Sequence, residues 1–170
     1  AGKTAIGTIL AEHLGVDFVD SDEEISRAAN MSIPEIFDRD GEDFFRLKET
    51  QIIGRLLGSR PHILSTGGGA FLSNENRKMI SGNAVSVWLD AELETLWDRV
   101  KEKKSRPLLM VKDPKTALKN LYISRKPQYA KANIRVKALH SQTKEVMVDR
   151  VIQTLLADPI SGLSKVEKNA

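Results

Sequence analysis

Gly2-Lys3-Thr4 is the closing part of a phosphate-gripping loop, G-x-x-x-x-G-K-[ST]. In such a loop backbone N–H groups wrap the phosphates, the lysine reaches the β and γ positions and the hydroxyl meets magnesium. Apolar Ile6, Ile9, Leu10 and Leu14, followed by Gly15, predict a helix over 3–14, so Lys3 stands in its first turn. The helix dipole disfavours a cation there unless an anion is bound, which favours a phosphate site over a plain surface lysine. The rest of such a loop is a strand and its first glycines, so about a dozen further residues are expected ahead of Ala1.

Asp20-Ser21-Asp22 follows a predicted strand, Val16–Val19, at the edge where open α/β sheets bind ligands. Period-two alternation turns both carboxylates the same way, one toward a metal's water shell and one toward an acceptor hydroxyl. An N-cap followed by a first-turn acid is the plainer alternative. In Phe44-Phe45-Arg46-Leu47-Lys48-Glu49, Arg46 forms either a surface pair with Glu49 or a fork steadied by Glu49 to receive a carboxylate. Ser65-Thr66-Gly67-Gly68-Gly69 ends a buried strand on three glycines, whose entropic cost implies that something approaches the backbone closely. Arg106 lies in a basic, proline-broken stretch, 104–113, expected to be a mobile loop, and is either a solvated loop charge or a lid arginine that closes over a transferring phosphoryl group. Arg125 precedes Pro127, which is expected to end its helix, and so is either a helix-end cation or an acceptor ligand. His13, His62 and His140 have no partners at metal-ligand spacing and are surface or strand-edge residues.

The elements that must position these groups alternate. Helices are expected from Ser32-Ile33-Pro34-Glu35, a capping box, and from Gly41 to Gly58, burying Phe45, Ile52, Ile53, Leu56 and Leu57. Strands are expected at His62–Thr66, Ala84–Leu89 and Ile134–Val136. Further helices pack Leu93, Leu96, Trp97 and Val100, then Leu118 and Leu121, then Val148, Val151, Ile152, Leu155 and Leu156. This order predicts an α/β protein, three layers with a mostly parallel central sheet, in a single domain over 1–157, with a frayed tail over 158–170. The chain has no cysteine, which removes disulfides and thiol chemistry, and 41% hydrophobic residues suffice for one core. Aromatics at 5% and a net charge of +3 argue against a base-stacking surface and suit anionic small substrates. No apolar stretch is long enough to cross a bilayer.

In this order and spacing GKT, DSD, FFRLKE, STGGG, RPLL and RKPQY resemble the shikimate kinases, P-loop enzymes of nucleoside-monophosphate-kinase-like fold that phosphorylate the 3-hydroxyl of shikimate with magnesium ATP, in aromatic amino acid (chorismate) biosynthesis. The resemblance runs from Gly2 to about Tyr129; beyond Ile134 only the strand-then-helix plan matches. It implies that Ala1, Gly2, Lys3, Thr4 and Ala5 meet the nucleotide, with Lys3 on its β and γ phosphates. Thr4 would bind magnesium directly, and Asp20 and Ser65 through water. Asp22 would hold the accepting hydroxyl and take its proton. Arg46 and Arg125 would clamp the carboxylate, with Gly67, Gly68 and Gly69 beside it and Phe37 and Phe45 walling the ring. Arg106 would stabilise the moving phosphoryl, and Arg99 and Pro107 would flank the adenine. Serine at position 65 stands where many P-loop proteins carry an acid, so Asp20 takes the magnesium side. The resemblance also implies a cytoplasmic monomer with no nucleic-acid or membrane partner. The rival readings are another hydroxy-acid kinase, such as a gluconate kinase, and a nucleotide-binding module without turnover.

Overall fold

The computed structural model describes residues 2–101, 111–139 and 141–162. Ala1, Arg106, Pro107, His140 and most of the expected lid lie outside the described residues. The chain divides into two compact units, Lys3–Val85 and Ser86–Leu163.

In the first unit, α1 (Lys3–Leu14) leads to β1 (Asp17–Asp20), α2 (Ser21–Ala29), α3 (Ile33–Asp40), α4 (Glu42–Leu57), β2 (His62–Ser65), a 3-10 turn (Ala70–Leu72) and α5 (Asn74–Asn83). β1 and β2 are parallel, with Asp17 opposite His62 and Asp20 opposite Ser65. That register sets two of the predicted metal-side residues next to each other at the carboxyl ends of the strands. α1 packs on both strands and buries Ile6, Leu10 and Ala11. It lies so close that a Cβ on Gly7 would stand 2.5 Å from Cε2 of Phe18.

The central element is α4, which is buried on two sides. Phe45 joins Ile25 of α2 and Ile36 of α3 in one cluster, while Ile53 joins Ala70 and Ile80 in another. α3 starts as expected, with Ser32 and Glu35 in a reciprocal capping box and proline in the first turn.

In the second unit, β3 (Val87–Ala91) leads to α6 (Leu93–Val100), α7 (Pro114–Tyr129), β4 (Ile134–Ala138) and α8 (Lys144–Ala157). β3 and β4 are parallel, Val87 opposite Ile134 and Ala91 opposite Ala138. β4 alternates, burying Ile134, Val136 and Ala138, and α8 covers it with Met147, Val148, Val151, Ile152 and Leu155.

Several expectations need correction. β3 starts later than the predicted Ala84 and continues through Asp90, because Arg135 on the neighbouring strand donates to the Asp90 carboxylate from Nε at 2.7 Å and again from Nη2. The guanidinium also lies 4.9 Å from the centre of the Trp88 ring. α7 does not stop before Pro127 but carries it inside and runs to Tyr129. Leu121 is exposed rather than packed. The chain after Asp158 begins with a capped 3-10 turn, Pro159–Ser161, rather than fraying at once. α2 is present and starts as the N-cap alternative at Asp20 has it, and α5, which the sequence reading did not include, is present as well.

The close contact at Gly7 makes a direct prediction. Gly7→Val should lower unfolding free energy by about 1–3 kcal/mol, the usual range for overpacking, measured by urea denaturation. Unchanged stability would show that α1 can back away from Phe18.

Candidate active site

The backbone turns from strand to helix at Asp20. Its φ of −109° and ψ of 122° are extended, and its Oδ1 accepts from the N–H groups of Asp22 at 2.8 Å and Glu23 at 3.3 Å. Asp20 is therefore the last strand residue and the N-cap of α2, while Asp22 stands in the helix's first turn. The two carboxylates are brought together by capping, the plainer of the two alternatives, and not by strand alternation. The cap uses Oδ1 of Asp20 and leaves Oδ2 out of that contact.

Asp22 sits where a carboxylate is costly. It is half-buried, and Oδ1 is a buried atom with no hydrogen-bond partner among the described residues. Burial raises its pKa above the ordinary aspartate value and the charge of Asp20 raises it further; the cations Lys3 and Arg46 pull the other way. Lys3 extends from the start of α1 to donate from Nζ to the carbonyl of Thr66 at 2.6 Å, joining residues 63 apart in sequence.

Arg46 donates from Nη1 to Oε1 of Glu49 at 2.9 Å and lies 5.2 Å from the centre of the Phe45 ring. Glu49 is 1% exposed, so the surface-pair alternative fails. Its Oε2 is buried without a partner among the described residues. Burial raises the pKa of Glu49, the hydrogen bond and charge of Arg46 oppose the rise, and the charge of Asp22 adds to it. Phe45 itself is a core residue, stacked against Phe37 with ring centres 4.7 Å apart.

Gly67 and Gly69 are needed for space and not for unusual dihedrals, since the positive-φ glycines of the described residues are Gly2, Gly15, Gly41 and Gly162. A Cβ on Gly67 would stand 2.9 Å from Oδ1 of Asp22; one on Gly69 would stand 2.6 Å from Nη1 of Arg46. The expected close approach is thus made by the chain's own functional side chains. Beyond the glycines, Thr50 and Asn76, which no motif marks, tie the end of this segment to α4.

Lys3, Asp20, Asp22, Arg46, Ser65 and Gly67–Gly69 all belong to the first unit. Thr4 is exposed at the start of α1 and Ala5 half-buried behind it. In the second unit Arg99 stands on α6 with Nη1 buried and unpartnered among the described residues, and Arg125 on α7 shows the same at Nε. His13 is exposed, and His62 pairs through Nδ1 with the Arg60 carbonyl at 2.8 Å. Among the described residues no cluster of three or more acids or histidines forms a metal cage. The available donors are hard oxygens, the Thr4 hydroxyl, the Asp20 carboxylate and Ser65. That sparse set fits magnesium, which holds most of its shell as water and phosphate oxygen.

A lysine, two acids and an arginine near the carboxyl ends of parallel strands suit phosphoryl transfer, and the chain's likeness to known proteins makes it an ATP-dependent phosphotransferase with the P-loop, nucleoside-monophosphate-kinase-like α/β fold. Residues 1–156 match the shikimate kinase family. A shikimate kinase of Ruegeria pomeroyi is 57% identical over 155 residues, which span 91% of this chain and 80% of that protein. Among solved structures, the shikimate kinase of Acinetobacter baumannii in complex with shikimate aligns with a TM-score of 0.85 at 34% identity, covering 92% of this chain and 87% of that one. The shikimate kinase of Aquifex aeolicus aligns with a TM-score of 0.82 at 32% identity, over 95% and 94% of the two chains. The chain belongs to the shikimate kinase family.

The raised pKa of Asp22 has a sign that can be checked. A folded carboxyl that holds its proton more tightly than the unfolded one favours folding most below the ordinary aspartate value, about 3.9, and that advantage is lost as pH rises through the folded pKa. Asp22→Asn should therefore raise Tm at pH 7–8, with the gain shrinking toward pH 4. A lower Tm at pH 7 would contradict the burial cost.

Proposed function

We propose that the chain transfers the γ-phosphoryl group of ATP to the 3-hydroxyl of shikimate, in the biosynthesis of aromatic amino acids through chorismate. The observation that carries this reading is the pairing of two groups on one side-chain-free segment: Asp22 against Gly67 and Arg46 against Gly69. The first is a base for an alcohol, the second a fork for a carboxylate, and an acceptor bearing both groups would span them.

In this reading Lys3 leaves the Thr66 carbonyl for the β and γ phosphates, where its charge offsets that accumulating on the moving group. The acceptor's hydroxyl oxygen bonds to the γ-phosphorus as the bond from that phosphorus to the β,γ-bridging oxygen breaks, and ADP departs with the electron pair. Asp22 takes the hydroxyl proton, and its raised pKa makes it a stronger base than an exposed aspartate. Glu49 keeps the guanidinium of Arg46 in the plane needed for a bidentate contact. Arg125 supplies the second carboxylate contact, Gly68 and Gly69 add backbone N–H groups, and Phe37 lines the ring with Phe45 behind Arg46. Thr4 would hold magnesium directly and Asp20 and Ser65 through water, and the ion when bound would supply charge neutralisation to the phosphates. Arg99 and Pro107 would flank the adenine, with Ala1, Gly2 and Ala5 along the phosphates.

We read the chain as one kinase domain over 1–157, with Arg106 on a lid at 104–113. We further read it as a cytoplasmic monomer with neither membrane nor nucleic-acid partner. Among the described residues no helix is long and apolar enough to cross a membrane.

ADP release with shikimate, gluconate or no acceptor tests the reaction. Turnover should appear with shikimate alone; turnover with gluconate alone would overturn the assignment. Arg125→Ala should raise the KM for shikimate by roughly tenfold or more while ATP KM stays within about twofold, because a charge pair is lost on the acceptor side only. Lys3→Ala should chiefly lower kcat, by about 100-fold or more, and a near-normal kcat would take Lys3 out of the chemistry.

A further inference from the structure

Arg46, Glu49, Thr50 and Ile53 fall at helical spacing along one side of α4, so the charged edge of the site grades through a hydroxyl into the apolar core. From that hydroxyl a chain of hydrogen bonds returns to the glycine segment. Thr50 Oγ1 donates to Oδ1 of Asn76 at 2.8 Å, and Asn76 Nδ2 donates to the carbonyl of Ala70 at 3.0 Å. The Ala70 N–H then donates to the carbonyl of Gly67 at 3.1 Å, and the Leu72 N–H to that of Gly69 at 3.2 Å. Asn76 is 1% exposed and Ala70 0%, beside the cluster of Ile53, Ala70 and Ile80.

We infer that Thr50 and Asn76 are positioning residues for the acceptor: they hold the triple-glycine segment at a fixed depth against Arg46, and so set the fit of the carboxylate cradle. The inference rests on the acceptor reading above. Apolar contacts among Ile53, Ala70 and Ile80 are non-directional and would let the segment slide. A buried amide engaged at both ends is directional, because displacement leaves a desolvated donor or acceptor unpaired. The clearance at stake is small. The backbone of Gly69 lies so near the guanidinium of Arg46 that one added carbon would overlap it. A shift of about 1 Å in such a cradle is enough to degrade alignment by orders of magnitude. Neither Thr50 nor Asn76 needs to touch the acceptor to have this effect.

The test is steady-state kinetics of Thr50→Val, Thr50→Ser and Asn76→Leu, with hydrogen exchange at the amides of Ala70 and Leu72. Thr50→Val should raise the KM for shikimate about tenfold, the equivalent of one well-placed hydrogen bond, with ATP KM within about twofold. Thr50→Ser should restore the wild-type value, and the Ala70 and Leu72 amides of Thr50→Val should exchange about tenfold faster than those of the wild type. Equal changes in both KM values, or an unchanged shikimate KM, would mean that the two residues serve stability alone. Should Asn76→Leu fail to fold, Thr50→Val with its serine rescue decides the matter. If the wild-type chain does not phosphorylate shikimate, the acceptor reading falls on that result, and unaltered amide exchange in Thr50→Val would separately overturn the positioning role.

Discussion

Carboxylates drawn out of water beside a guanidinium are stable only when the backbone around them cannot yield. Asp22 and Glu49 both lose solvation, both keep an oxygen unpaired among the described residues, and both lean on Arg46 for compensation. The structure tolerates this because α4 is buried on two sides and the Gly67–Gly69 segment is tied down beyond its last glycine. Stability is given up locally, at the acids, and recovered in the two apolar clusters that clamp the helix carrying the arginine. Groups desolvated in this way are also those whose protonation behaviour is shifted for chemistry.

The strand register and the first helix complete the arrangement. Pairing of Asp20 with Ser65 in β1 and β2 fixes where the oxygens proposed for the metal side stand, and the seating of α1 on both strands fixes where Lys3 starts. The contact of Gly7 with Phe18 sets that seating, so a residue with no chemistry of its own governs how far the lysine can reach. In the second unit Asp90 is buried at the end of a strand and is held there by Arg135 stacked on Trp88.

Much of this was legible in the residues. Apolar positions bounded by Gly15, and by Gly41 and Gly58, located α1 and α4, the Ser32 capping box located α3, and three consecutive glycines signalled a close approach that involves Asp22 and Arg46. The α/β class followed from the alternation of elements. What escaped the reading did so for physical reasons. The start of α2 stayed one of two alternatives because Asp20 serves strand and helix at once, and a carboxylate at a strand end looks the same whether or not it caps. α5 carries few apolar residues, so its periodicity is weak, and Ser73 was its only clear sign. β3 seemed to end before Asp90 because its compensating arginine is 45 residues away in sequence. Pro127 predicts a stop, yet α7 continues past it. Thr50 and Asn76 belong to no motif; a polar pair distant in sequence shows its purpose only when folded.

The glycine segment has a consequence for the gene. A glycine codon can change by one base only to alanine, valine, serine, cysteine, aspartate, glutamate, arginine, tryptophan or a stop, and every one of those side chains begins with a carbon. At codons 67 and 69 that carbon would land on Asp22 or Arg46. Every such replacement therefore brings a new side-chain atom against the tip of Asp22 or Arg46, which must move to make room.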